Sequence, residues 1–354
     1  MEYLEKKIFE ESPNVADNYR RAYVEGIGKY IERKNQECKQ LRRSYMEPES
    51  LVEAQEDYRE AYKKMLGLEL FAEKTSKKAE MHTVGSDEVS CIYRLKVYIT
   101  DEIPFYAMLL IPHERLKPIP LVIAQHGGGG TPELCSDFNG TNNYNHMVQR
   151  VLSRGAAALV PQLMLWSRTE TETMREHKID FDRNKVDIDL KRFGSSITAM
   201  EICGIIKALD YVCGLEKIDA DRVAMMGISY GGYFTLHTMA ADTRIKAGYC
   251  AAVFNDRNVY DWSDWSYKGS ACAFQDAEVA ALCAPRKLYI QVGMEDEVFD
   301  YRSAVFEAER VKDYFAAFER EENYVFDVWD GGHTISSDDK GYEFIFEVLS
   351  YESN

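Results

Sequence analysis

Nowhere in the chain do some ~18 uncharged apolar residues run together, and the opening stretch MEYLEKKIFEESPNVADNY is charged throughout. Neither a membrane span nor a secretory leader is expected, which points to a soluble cytoplasmic protein. The eight cysteines, at 38, 91, 135, 203, 213, 250, 272 and 283, form no C-x-x-C and no paired Cys/His spacing. No zinc site, other metal or disulfide framework is expected, and all eight read as small buried hydrophobes. Positive charge is in deficit: 43 Lys and Arg stand against 59 Asp and Glu, a net charge of -16. Such a surface repels phosphate backbones and argues against nucleic acid as a partner. Repeats and low-complexity tracts are also absent. What is present, 45% hydrophobic, 12% aromatic and 29% charged residues over 354 positions, suffices for a large core and excludes wholesale disorder.

Two textures divide the chain. Residues 1–89 are rich in Glu, Lys, Arg, Tyr and Leu, and up to about residue 75 apolar residues recur at helical spacing, as in Tyr19, Tyr23, Ile27, Tyr30 and Ile31, with Pro48 and Gly67 as punctuation. This predicts a helical N-terminal extension that packs on a main domain or on another subunit, with a homo-oligomer through these helices as one outcome. From Cys91 the pattern changes to CIYRLKVYIT and FYAMLLIP, the signal of a hairpin. PLVIAQH, AAALVPQ, RVAMMGIS, AGYCAAV, KLYIQVG and YVFDVWD follow, with helical patterns between them. Apolar strands with little polar alternation belong to a parallel sheet covered by helices on both faces, so residues 90–354 read as one α/β domain. Two long polar and aromatic segments, 163–194 and 254–275, interrupt the alternation after strand ends, where open α/β sheets bind ligands.

The sharpest motif is Gly227-Ile228-Ser229-Tyr230-Gly231-Gly232, between the apolar run RVAMM and the helical pattern YFTLHTMAA. A strand, sharp turn and helix around G-x-S-x-G is the setting of a nucleophilic serine on an elbow. A serine hydroxyl needs a base, and the base needs a carboxylate to orient it. Of seven histidines only His237 and His333 follow Ser229. His237 falls within the elbow helix and reads as a packing residue; His333, in the loop Asp330-Gly331-Gly332-His333 after the last strand, is the expected base. Glu295, Asp296, Glu297 and Asp300 compete for the acid after KLYIQVG; Asp296 is favoured because Gly-x-x-Asp lets the strand end and turn first, with Asp300 next. Oxyanion donors are expected from the backbone of Tyr230 and from the His126-Gly127-Gly128-Gly129-Gly130 loop, Gly128 before Gly127.

HGGGG, GISYGGY, VAALCAPRKLYIQVGMEDEVFD and DGGH together resemble the α/β-hydrolase superfamily, and within it the dienelactone-hydrolase-like and acetyl-xylan-esterase-like branch. The resemblance spans residues 90–350 and implies a mainly parallel eight-stranded sheet flanked by helices, a Ser-His-Asp triad and no cofactor. Carried onto this sequence, the nucleophile falls on Ser229, the acid on Asp296 and the base on His333. The elbow also resembles that of prolyl-oligopeptidase-like serine peptidases, although only about 90 residues, without a propeller pattern, precede the catalytic region here.

The expected activity is hydrolysis of a small polar carboxylic ester, an acetylated sugar or related metabolite, through an acyl-enzyme. The alternatives are a serine peptidase and a non-catalytic binding protein that keeps the fold. Trp166, Arg168 and Arg192 in the first polar segment and Trp262 and Trp265 in the second are the side chains expected to shape a substrate pocket, aromatic platforms being suited to sugar rings.

Overall fold

Each of the eight apolar runs between Cys91 and Asp330 becomes a strand of one sheet in the computed structural model, which describes residues 9–72, 78–113, 118–138, 144–165, 181–260 and 262–350. A ninth strand precedes them. In chain order the strands are β1 (Ala79–Ser86), β2 (Ser90–Tyr98), β3 (Pro104–Pro112), β4 (Ile119–Gln125), β5 (Ala157–Pro161), β6 (Ile218–Ile228), β7 (Ile245–Ala251), β8 (Lys287–Gly293) and β9 (Tyr324–Trp329). They lie side by side as β1-β2-β3-β5-β4-β6-β7-β8-β9. The pairings from β1 to β2, β3 and β5 are antiparallel, and those from β5 across β4, β6, β7 and β8 to β9 are parallel. The extra strand has a physical reason for escaping an apolar-run reading: β1 is an edge strand, AEMHTVGS, exposed at most positions. The sheet therefore starts at Ala79, inside the stretch read as a helical extension.

Among the described residues the α-helices are α1 (Asp17–Tyr45), α2 (Pro48–Leu66), α3 (Glu69–Ala72), α4 (Pro132–Cys135), α5 (Met147–Ser153), α6 (Arg183–Arg192), α7 (Ile197–Cys213), α8 (Tyr230–Ala241), α9 (Asp276–Ala281), α10 (Tyr301–Ala317) and α11 (Lys340–Phe346). Alternate side chains of the parallel strands enter different cores, as the period of two requires. Leu121, Ile123 and Met225 face one layer with α2, α7, α8, α9 and α10, while Val122, Ala124, Ala224 and Met226 face the other with α5 and α11.

The N-terminal helices belong to the first layer. Met46 and the α2 residues Leu51, Tyr62 and Leu66 are fully buried in its core. Arg42, near the end of α1, is buried between Glu278 of α9 (2.7 Å) and Glu307 of α10 (2.8 Å), and both glutamates also meet Arg310. Next to it Cys38 and Cys272 are joined by a disulfide, which corrects the reading of all eight cysteines as unpaired packing residues. Two cysteines 234 positions apart carry no spacing signal; only the fold brings their Cα atoms to 4.4 Å. No helix among the described residues is long and apolar enough to cross a membrane.

Candidate active site

Parallel strands end on one edge of the sheet, so the loops after β4, β6, β7, β8 and β9 converge there. Ser229 sits between β6 and α8 with φ 56° and ψ -123°, a conformation disfavoured for any residue with a side chain. The strain is held in place by close packing. A Cβ on Gly227 would lie 2.5 Å from the Gly231 backbone, and one on Gly231 would lie 2.1 Å from the Gln125 carbonyl oxygen. The elbow thus needs glycine on both sides of Ser229 because the helix start presses against β4 and β6. The Ser229 N–H donates to Ala251 O of β7 at 2.9 Å, and its carbonyl accepts from Tyr233 N at 2.9 Å, fixing the turn from both sides.

The loops after β8 and β9 are stitched together by backbone hydrogen bonds from Met294 N to Trp329 O and from Glu295 N to Gly331 O, each 2.9 Å. This registration carries His333 to Asp296: Nδ1 lies 2.9 Å from Oδ2 and 3.1 Å from Oδ1. Asp296 Oδ1 also accepts from Val298 N (2.8 Å) and Phe299 N (3.0 Å). Burial alone would raise the Asp296 carboxyl, but the hydrogen bonds from His333 and the two backbone amides outweigh it and hold the group below the usual aspartate range. An ionised Asp296 fixes the proton of His333 on Nδ1, the tautomer in which Nε2 carries a lone pair. The competing Asp300 serves elsewhere, as N-cap of α10, accepting from Arg302 N at 3.0 Å. His237 packs in the core with Nδ1 on the Tyr62 hydroxyl.

The glycine loop after β4 lies against the elbow. A Cβ on Gly127 would be 3.2 Å from Ser229 Cβ, and the Gly127 N–H donates to the Tyr144 hydroxyl at 3.3 Å. Gly128 follows at the exposed tip of a turn closed by Gly130 N to Gly127 O, with Gly129 at φ 67°. His126 anchors the loop: its buried ring has Nδ1 2.8 Å from Gly127 O, and Nε2 accepts from Leu163 N at 3.0 Å. Burial lowers this imidazole to about 4, so it is neutral, with Nδ1–H as the donor.

The second polar segment builds an aromatic wall beside this edge. Trp262 stacks parallel to Tyr230 (centroids 5.6 Å, 6°) and meets Phe299 at 5.7 Å, and Phe299 in turn lies 5.6 Å from the His333 ring. Trp262 remains 39% exposed, whereas Trp265 is buried beneath it, stacked on Tyr233 at 4.7 Å with the Arg257 guanidinium 4.4 Å from its ring. Trp262 is the member that offers a surface; Trp265 supports it. Trp166 and Arg168 lie outside the described residues. Arg192 is not brought to the wall: its side chain is 75% exposed on the last turn of α6, 3.5 Å from Asp189.

The arginine that the sequence reading passed over is Arg183, at the other end of α6. It is buried between Asp264 (Nε to Oδ2, 2.7 Å) and Glu201 of α7 (Nη2 to Oε2, 2.8 Å), and Nη1 reaches Met164 O at 3.1 Å. Asp264 also accepts from the Tyr230 hydroxyl at 3.2 Å. Burial, helped by that carboxylate, pushes the Tyr230 phenol well above its ordinary value, so it stays a donor. Both polar segments are thereby strapped to α7 and to the side chain beside the nucleophile. Phe299 was missed as well, although its place three residues after Asp296 is a signal that could have found it. No group of three or more His, Cys, Asp or Glu among the described residues is disposed to hold a metal ion.

Comparison with known proteins agrees with this architecture. Residues 200–319, from α7 to just past α10, match the sequence profile of the prolyl oligopeptidase family. No curated protein matches the chain. Among solved structures, the chain is similar to a candidate acetyl xylan esterase from Bacteroides fragilis NCTC 9343, with TM-score 0.62 and 15% identity over 87% of this chain and 85% of that one. It is similar to a glucuronoyl esterase from Solibacter usitatus, with TM-score 0.59 and 14% identity over 82% and 92%. Acetyl xylan esterase 1 from Thermoanaerobacterium sp. JW/SL YS485 follows the same course, with TM-score 0.57 and 15% identity over 84% and 94%. The fold is that of the α/β-hydrolases.

Proposed function

We propose that the protein is a serine hydrolase that cleaves a small polar carboxylic ester, with an acylated carbohydrate as the favoured substrate class. One observation carries the reading: a strained serine on an elbow at the same sheet edge as a histidine locked by an ionised aspartate. In this mechanism Ser229 Oγ attacks the ester carbonyl as His333 Nε2 takes its proton. Asp296 keeps the ring oriented and stabilises the imidazolium. The oxyanion is met by the Tyr230 N–H, in the first turn of α8, and by the Gly128 N–H, since the Gly127 N–H is engaged by Tyr144. His333 then protonates the leaving alcohol, and water releases the acyl group by the reverse sequence. The exposed face of Trp262 supplies a platform for a sugar ring, and the three structural neighbours named above are, by name, two acetyl xylan esterases and a glucuronoyl esterase.

A serine peptidase is the second reading, favoured by the profile match over residues 200–319. Ester and amide substrates differ in leaving group, so a panel of p-nitrophenyl acetate, butyrate and octanoate, a peracetylated sugar and an aminoacyl anilide separates the two. Cleavage of the short esters or the sugar, abolished by Ser229→Ala, is the expected result. Cleavage of the anilide alone replaces the esterase reading with the peptidase one, and equal inertness of both proteins toward the panel removes the support for either.

A further inference from the structure

The first half of α1 presents an apolar stripe that the other described residues leave exposed. Tyr19 is 80% exposed, Tyr23 73%, Val24 67%, Ile27 43%, Tyr30 56% and Ile31 52%. Their spacings of three, four and seven put them on adjoining rows of one helix surface. Val24 and Ile31 also continue the row of Asn35, Cys38 and Arg42, along which the second half of α1 packs on the body. The helix thus leaves the body and carries its contact surface with it.

The size of the stripe says what covers it. With a tyrosine side chain offering ~200 Å², these six side chains leave roughly 600–700 Å² of mostly apolar surface open on each chain. That is at or above the ~300–600 Å² of the largest patch on an ordinary monomer, and the flanking stems bring it to the ~800 Å² that each partner gives to a standard interface. Ala22 and Gly26, one turn apart at the edge of the stripe, let another helix approach closely; a Cβ on Gly26 would meet nothing within 4 Å.

The charge pattern chooses among occupants. Arg20, Arg21, Lys29, Arg33 and Lys34 alternate with Asp17, Glu25, Glu32 and Glu37 around the stripe, so it is neither a basic face for anionic lipid nor an acidic one. A chain of net charge -16 is repelled from an anionic bilayer, whereas an antiparallel copy of α1 meets both signs with both signs. We propose that the protein forms a two-fold dimer in which the first halves of two α1 helices pair along Tyr19, Tyr23, Ile27 and Tyr30. Such an isologous contact closes on itself and needs one surface only. Because the second half of α1 is joined to Cys272 and to the α9 and α10 glutamates, the dimer arm is fastened to the same segment that carries the Trp262 wall.

Sedimentation equilibrium of the full chain at micromolar concentration, beside Tyr23→Glu/Ile27→Glu, tests this. The wild type should have about twice the 40.7 kDa of one chain, and the double variant, with unchanged circular dichroism, should be a monomer or associate at least ~100-fold more weakly, because four carboxylates, two from each chain, would have to be buried. A monomeric wild type overturns the proposal, as does a dimer that the double variant leaves intact. A monomer that co-sediments with phosphatidylserine vesicles replaces the second copy with a membrane surface.

Discussion

Glu295, Asp296, Glu297 and Asp300 are near-equivalent in chemistry, and what separates them is the set of N–H groups each one meets. Asp296 receives His333 Nδ1 and two backbone amides, while Asp300 receives the first turn of α10. Asp296→Asn keeps the shape and removes the charge that holds the imidazole tautomer. We expect kcat for p-nitrophenyl acetate to fall by ~10³–10⁴ with KM and melting temperature nearly unchanged. Asp300→Asn, an equally good cap, should leave kcat alone. Equal losses in the two variants would refute the assignment. The Ser, Asp and His of this constellation are legible in sequence because each must follow a strand end, and strands announce themselves by composition. Arg183 is not legible in that way. It lies nine positions from Arg192 in one polar segment, without the apolar periodicity that would say which of the two points inward.

At the level of elements, the polar segments after β5 and β7 were legible as interruptions of a strand and helix alternation, but not as a strap. The strap is the buried set Glu201, Arg183 and Asp264, with the Tyr230 hydroxyl at its end. Removing the cation leaves two buried carboxylates facing each other. Arg183→Met should therefore destabilise the protein by ~3–5 kcal/mol, read as a lower urea midpoint, and should raise KM for an acetylated sugar more than it lowers kcat, since the wall moves and the triad does not. A variant with the midpoint and KM of the wild type would show that the two segments hold their places without the strap. The same scale explains the missed strand and the missed disulfide. Edge strand β1 has little apolar surface to advertise, and Cys38 and Cys272 become neighbours only through the packing of α1 on the segment before α9.

For the molecule as a whole, two opposing electrostatic effects set the dependence of stability on pH. Acidification toward the pI of about 5.0 relieves the self-repulsion of a chain of net charge -16, which favours the folded state. Buried neutral histidines act the other way. His126 has Nδ1–H on Gly127 O and spends Nε2 on the Leu163 N–H, so a second proton would face a donor; burial lowers it from 6.5 to about 4. His237 is displaced in the same direction by burial, with Arg257 adding to it. In the unfolded chain both take up protons as pH falls through ~6.5 while the folded chain resists, so their contribution is complete above that pH and is lost as pH falls, for His126 on the way down to about 4. For His126 alone the loss is ~3 kcal/mol over that window. Surface repulsion is spread over many exposed charges and screened beyond ~10 Å at 0.1 M salt, so the histidines should prevail. Urea midpoints should fall steadily from pH 7 to pH 4.5, and His126→Asn, which keeps a donor for Gly127 O, should flatten the slope. Asp296, held low by its partners, loses its contribution only at still lower pH and does not blur the window. A stability maximum at the pI, or a slope unchanged in His126→Asn, would mean that the ring anchoring the glycine loop is free to protonate in the folded protein.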